Sequence, residues 1–268
     1  MAVHSPGAGR APAPTPRTLT PTRASAIRVV GHGPLVVVVH GVGTTSDRLE
    51  RLVRPLTPHY AFALVDRPGY GRMRHRMPHG RLDRSVDELA GTIADLPEAP
   101  VAYLGISGGA TLGLALGIAR PGLVPTLVLH EPLVGPHAPA LHDRIATAAR
   151  ALEQDASLGA VEAVVTRLAG PTSTPAAARV ERAVRTEVPA FLGFGPTTDQ
   201  LRRACAAQRI VVTLGELSDE PRQAAARVLA DRGAAVIAAP GSAHVPQVEA
   251  PAAYAAVLAT VLADPEVA

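Results

Sequence analysis

The chain has 268 residues, of which 47% are hydrophobic, and its 26 basic residues are all arginine against 23 acidic ones. That is enough apolar material for one large α/β domain or two small ones and too much for a wholly disordered chain. The absence of lysine excludes a Walker-type phosphate loop, a pyridoxal Schiff base and a lysine aldolase, and 3% aromatic content without Trp supplies stacking platforms for single-stranded nucleic acid only poorly.

The formal net charge of +3 is unevenly placed. Arg10, Arg17, Arg23 and Arg28 fall within the first 30 residues with no acid among them, so the rest of the chain is close to neutral and no nucleic-acid partner is expected. Residues 1–22, rich in Ala, Pro, Thr and Arg, predict a disordered tail. A single cysteine, Cys205, permits no internal disulfide and no cysteine-based zinc site, so no metal is expected and a reducing compartment fits. The N-terminus lacks the apolar stretch of a signal peptide and no run of about 18 apolar residues follows, so the expectation is a cytoplasmic protein with no membrane partner.

Beyond the tail, β-branched runs alternate with Ala- and Leu-rich helical stretches. A weak strand at Ala26–Val30 precedes a clear one at Leu35–Val39, and a helix is predicted around 46–54 before the strand Ala61–Val65. Next come a helix over 85–95, the strand Val101–Leu104, a helix over 109–119 and the strand Thr126–His130. After a long helix-only segment, about 136–206, the strand Ile210–Leu214, a helix over 220–232, the strand Ala234–Ala238 and a helix over 251–263 complete the pattern. Runs such as Leu-Val-Val-Val-Val are apolar on both faces, as strands of a parallel sheet covered by helices on each side must be. The fold class predicted is α/β, a mostly parallel central sheet flanked by helices, with residues 23–135 and 207–268 as core and 136–206 as a helical lid.

The sharpest local signal is Gly105-Ile-Ser107-Gly-Gly109, entered from a strand and left by a helix. That is the setting of a nucleophile elbow, in which the serine sits on a strained turn and its hydroxyl stands above the sheet. Glycines at 105 and 109 remove the Cβ atoms that would collide there. A serine hydroxyl is a weak nucleophile and needs an imidazole within reach to take its proton. Of the ten histidines, His244 sits just past the last strand and before the terminal helix, in Pro240-Gly-Ser-Ala-His244-Val-Pro-Gln-Val-Glu249-Ala-Pro251.

On these motifs the chain resembles the α/β-hydrolase superfamily, a serine esterase-like branch with a helical lid, over about residues 25–265. The resemblance implies that Ser107 is the nucleophile and His244 the general base, and that the lid follows the strand Thr126–His130, the sixth in the superfamily's count. It also implies that His40-Gly41-Val42-Gly43 is the loop whose backbone supplies half of an oxyanion hole, the donors being the N–H groups of Val42 and Gly108. Asp66-Arg67-Pro68-Gly69-Tyr70-Gly71 is similar to the superfamily's Asp-x-Pro-Gly-x-Gly turn, where Asp66 and Arg67 are expected to brace the chain reversal. The position that holds the acid in most relatives is Ser218 here. Two carboxylates remain open, Glu131 at the tip of Thr126–His130 and Asp219, with Glu131 preferred.

A serine nucleophile argues against the dehalogenase and epoxide-hydrolase branches, which the superfamily runs with an aspartate. The expectation is a cofactor-free hydrolase acting on a small-molecule acyl substrate, a carboxylic ester or similar compound, through an acyl-enzyme on Ser107. The alternative is a ligand-binding receptor, or an acyltransferase or cyclase on the same fold. Phe191, Phe194 and Leu133 are expected to line an apolar acyl pocket.

Overall fold

In the computed structural model, which describes residues 26–169 and 177–263, seven strands form one sheet. They are β1 (Ile27–Gly31), β2 (Leu35–Val39), β3 (Ala61–Val65), β4 (Ala102–Ile106), β5 (Thr126–His130), β6 (Arg209–Gly215) and β7 (Ala235–Ala239), in the order β1-β3-β2-β4-β5-β6-β7. Only β1 is antiparallel, to β3; the other neighbours are parallel. The tail expected over residues 1–22 lies outside the described residues.

Strand alternation divides the core in two. Val37, Val39, Ala63, Tyr103, Leu129 and Val212 face one side with α2 (Leu82–Ala94), α3 (Gly108–Ala119), α7 (Thr198–Ala207) and α8 (Glu220–Ala230). Val36, Val38, Phe62, Leu104, Val128 and Val211 face the other with the single turn α1 (Glu50–Val53) and α9 (Pro251–Ala263). Every residue of β2, β3 and β4 is buried, which is why these strands read as unbroken apolar runs. α3, Gly-Gly-Ala-Thr-Leu-Gly-Leu-Ala-Leu-Gly-Ile-Ala, is apolar all round because it is packed all round.

From β2 the chain steps outward to β3 and then returns to place β4 on the other side of β2. The carboxyl ends of β2 and β4 therefore flank the point where strand order reverses, the place where open α/β sheets leave a crevice. The loop after β2 and the turn after β4 meet there.

Between β5 and β6 lie α4 (Pro139–Gln154), α5 (Leu158–Ala169), α6 (Ala177–Leu192) and α7. The helical excursion thus follows Thr126–His130, the fifth strand of this seven-stranded sheet. The first three of these helices share an apolar cluster of their own, built on Ile145, Leu152, Val161, Val165, Val184, Val188 and Phe191. α7 differs: it begins with a capping box between Thr197 and Gln200, and its Leu201 and Ala204 belong to the core of the sheet. The segment 136–206 therefore splits, with α7 serving as a flanking helix because its apolar stripe is matched to α3 and β6.

Candidate active site

The turn after β4 carries Ser107 at φ 54°, ψ −115°, a conformation that side chains other than glycine rarely adopt. The flanking glycines make it possible. A Cβ on Gly109 would lie 2.3 Å from the Val39 carbonyl oxygen, and one on Gly105 would lie 2.6 Å from the Gly109 carbonyl oxygen. Bare backbone lets α3 start tight against β2 and β4, and its N-terminal amides open toward the Ser107 hydroxyl.

Ser107 Oγ is 2.8 Å from His244 Nε2, and His244 Nδ1 is 2.5 Å from Glu131 Oε2. The second contact places the imidazole hydrogen on Nδ1, donated to the carboxylate, and leaves Nε2 as acceptor for the serine hydroxyl. Glu131 follows β5 at φ 51°; it and Ser107 are the two non-glycine residues with positive φ among those described. Its backbone is held by Glu131 N–H donating to the Thr213 carbonyl at 3.2 Å. Its other oxygen, Oε1, accepts from Gly215 N–H at 3.1 Å and from the Ser218 hydroxyl. The position that carries the acid in most relatives thus holds a serine that donates to a carboxylate from the neighbouring strand.

Asp219 does not approach His244. It caps α8 by accepting from Arg222 N–H, and pairs with Arg144 at 2.7 Å and with Arg222 at 3.0 Å. Of the two acids left open by the sequence, only Glu131 reaches the imidazole.

Two arginines that the sequence did not single out complete the surroundings. Arg222 Nε lies 2.9 Å from Glu131 Oε2 and 3.0 Å from His244 Nδ1. Because Nδ1 carries its own hydrogen, the carboxylate is the acceptor that this guanidinium can use. Arg144 lines the same pocket from α4. Their signal was obscure, since arginines on helical stretches normally face solvent.

Charge states follow from these neighbours. Burial pushes the Glu131 carboxyl up, but the His130 and His244 imidazoles and the Arg222 guanidinium more than reverse this and hold it at about 2. Burial, and then Arg222, press His244 below the ordinary histidine value, against the pull of Glu131, so it is neutral near pH 7. His130, buried between Thr213 and the Ala243 carbonyl, is lowered to about 4, chiefly by burial.

The loop after β2 sits against the elbow: a Cβ on Gly108 would lie 3.3 Å from Val42 N. Val42 and Gly108 therefore border the space in front of Ser107, a cavity of about 40 Å³. Leu133, Leu141, Ile145, Val165 and Phe191 give it apolar walls. Phe194, expected among them, is absent. It packs into the sheet's core with Val134 and Leu201, because the chain turns at the end of α6 and sends two phenylalanines three residues apart in different directions.

Asp66 braces its own turn as expected, accepting from the backbone N–H groups of Ser46 and Arg72, both at 2.9 Å. Arg67 does something else. It pairs with Glu187 of α6 at 2.5 Å and donates to the Gly41 carbonyl at 2.9 Å. Buried His40 donates from Nδ1 to that same carbonyl at 2.8 Å and accepts the Arg67 N–H at Nε2. No helix among the described residues is long and apolar enough to cross a membrane.

The chain has relatives among known proteins. The chain is 29% identical over 109 residues to the uncharacterized hydrolase YraK of Bacillus subtilis (strain 168), covering 40% of each. It is 36% identical over 110 residues to a pimeloyl-[acyl-carrier protein] methyl ester esterase of Xanthomonas oryzae pv. oryzae, covering 38% of this chain and 42% of that one. The matches thus span about two fifths of the length of these curated relatives. Among solved structures, MenH from S. aureus superposes with a TM-score of 0.70 at 16% identity, over 89% of this chain and 98% of that one, a likeness of fold. The model of the family described as serine aminopeptidase, S33 (Hydrolase_4), matches residues 32–186, more than half of the chain. With this match, the seven-stranded sheet and the serine turn together, the chain belongs to that family, within the α/β-hydrolase superfamily.

Proposed function

We infer that the protein is a serine hydrolase that cleaves a carboxylic ester, or a similar acyl compound, through an acyl-enzyme on Ser107. The observation that carries this reading is the unbroken contact from Ser107 Oγ to His244 Nε2, and from His244 Nδ1 to Glu131. Ser107 Oγ attacks the acyl carbon while His244 Nε2 takes its proton, and Glu131 holds the tautomer and stabilises the cation that forms. The carbonyl oxygen becomes an oxyanion, received by the N–H groups of Val42 and Gly108. Collapse expels the alcohol, which takes the proton from His244. Water then attacks the acyl-enzyme with the same base, releasing the acid and restoring Ser107.

The acyl part lies among Leu133, Leu141, Ile145, Val165 and Phe191. Helices α4–α6 supply Leu141, Ile145, Val165 and Phe191 to these walls, and in this reading they act as a lid that shifts to admit a longer chain. The methyl ester esterase relative is in keeping with an ester substrate. The reaction as written uses the chain's own groups and water.

A fluorophosphonate, with the adduct mapped by mass spectrometry, and a panel of p-nitrophenyl esters of graded chain length test this reading. Expected are a single adduct on Ser107 and steady turnover abolished in Ser107→Ala. An adduct elsewhere, or a single burst of product without turnover, would overturn it, the burst favouring a ligand-binding protein.

A further inference from the structure

The buried cation Arg67 ties the covering helices to the loop in front of Ser107. Each oxygen of the buried Glu187 carboxylate, on α6, holds one group: Oε1 takes Arg67 Nη1 at 2.5 Å and Oε2 takes the Tyr70 hydroxyl at 2.6 Å. Each of those groups in turn holds one side of Val42. Arg67 Nη2 donates to the Gly41 carbonyl at 2.9 Å, and the Gly43 N–H reaches the Tyr70 oxygen at 3.4 Å. The guanidinium also stands over the Tyr70 ring, 5.0 Å from its centre.

The Gly41–Val42 peptide is trans, as are all those among the described residues. In a planar trans peptide the C=O and the N–H point in opposite directions. Fixing the Gly41 oxygen therefore fixes the direction of the Val42 N–H. Two donors converge on that oxygen, Arg67 and His40. Of these, only Arg67 is held from the covering helices.

We propose that Arg67, held by Glu187 of α6, is a positioning residue that sets the Val42 N–H as an oxyanion donor and makes the donor dependent on the seating of α6. Arg67 touches no reacting atom; it acts through the peptide. When α6 moves outward to admit substrate, Glu187 leaves, and the Gly41–Val42 peptide loses the charged half of its anchor. Reseating restores it, so the oxyanion donor is in register when the acyl group is enclosed. The inference rests on the reading of Ser107 as the nucleophile.

The test compares the wild-type protein with the double variant Arg67→Met/Glu187→Leu, which replaces a buried ion pair by apolar groups of similar volume and leaves no orphaned charge. Three quantities are read: kcat and KM on a p-nitrophenyl ester, thermal melting, and affinity for an alkyl boronic acid, whose tetrahedral adduct on Ser107 places an oxygen where the oxyanion forms. Loss of one oxyanion donor costs about 100- to 1000-fold in kcat, so a donor present but unaligned is expected to cost roughly 10- to 100-fold. Boronate affinity should fall by a similar factor, with KM within about threefold of wild type. Arg67→Lys, whose ammonium satisfies one of the two partners at a time, should recover part of the loss.

A folded double variant with wild-type kcat and boronate affinity overturns the proposal. So does one in which melting and KM change while boronate affinity does not, the pattern of a purely structural pair. Should the double variant fail to fold, Glu187→Gln carries the test, with a smaller loss of about three- to tenfold expected and wild-type kcat overturning the proposal. A wild type that takes no fluorophosphonate on Ser107 would overturn the hydrolase reading and this inference with it, whereas a wild type that is labelled, with variants that keep its kcat, overturns the inference alone.

Discussion

Replacing Glu131 by glutamine exchanges one carboxylate oxygen for an NH2 group, and the surroundings decide which one. Oε1 faces two donors, the Gly215 N–H and the Ser218 hydroxyl. An amide placed there NH2-first would oppose the Gly215 N–H, so its oxygen takes that side. The NH2 is thereby forced toward His244 Nδ1, now 2.5 Å from the carboxylate, and toward Arg222 Nε. A donor facing Nδ1 stabilises the tautomer with its hydrogen on Nε2, and that hydrogen points at Ser107 Oγ. The base is then in the wrong form to accept a proton. Loss of the triad acid in this way costs about 10⁴ in kcat in a serine protease, or about 5.5 kcal/mol in the barrier. We therefore expect Glu131→Gln to lower kcat on an activated ester by about 10³- to 10⁴-fold with KM little changed. Asp219→Asn, which keeps a side-chain acceptor at the start of α8 and leaves His244 untouched, should stay within about threefold. Stopped-flow or steady-state kinetics on both variants, with circular dichroism to establish folding, decide the matter. A folded Glu131→Gln retaining kcat within tenfold, or equal small losses in both variants, would refute the assignment of Glu131.

The acidic limb of kcat/KM should lie below the ordinary histidine value, because burial and Arg222 disfavour the charged imidazole. Arg222→Met removes a positive charge beside His244, so the limb should move to higher pH; a pH–rate profile that stays in place would count against this electrostatic account. Gly109→Ala drives a methyl to within 2.3 Å of the Val39 carbonyl oxygen, and should cost about 3 kcal/mol, roughly 6–12 °C in Tm. Gly159→Ala, whose added methyl would make an ordinary contact of 3.7 Å with Ser157 Oγ, should leave Tm unchanged or raise it. Stability should fall early on acidification. His40 and His130 are held down at about 3 and 4, His40 by burial and then Arg67, and His130 chiefly by burial, so the unfolded chain takes up these protons near pH 6.5 while the folded one refuses them. Their contribution, on the order of 5 kcal/mol for His40 and 3 kcal/mol for His130, is complete above pH 6.5 and is lost as pH falls toward 3 and 4 respectively. Urea melts at pH 7.5 and 5.0 with equal midpoints would contradict this.

Much of the architecture is local and can be read locally. Leu35–Val39, Ala61–Val65 and Thr126–His130 are strands over those bounds, because two-sided burial demands an unbroken apolar run flanked by breakers. The Gly105–Gly109 turn was legible for the same reason, since backbone strain at one serine is relieved by neighbours two residues away. The expected weak first strand is also present, one residue later, at Ile27–Gly31.

What the chain could not disclose by itself depends on pairings between distant residues. Glu131 and Asp219 were both plausible partners for His244; the parallel register of β5 and β6, with Leu129 beside Val212 and His130 beside Thr213, carries Glu131 to Gly215 and Ser218 and on to the imidazole. Asp219, only one residue beyond Ser218, is spent on capping α8 and on Arg144 and Arg222. Phe191 and Phe194 had equal claims to the pocket until the end of α6 turned one of them into the core. The Arg67–Glu187 pair joins residues 120 positions apart, and no local pattern announces it. Sequence alone marked the strands, the serine turn and the histidine loop, because each is written in a few consecutive residues; how the segment 136–206 divides, which acid meets the histidine, which side chains line the pocket and which buried cation lies behind it were decided only when the sheet and the overlying helices closed on one another, since a charge takes its partner from whatever packing leaves beside it.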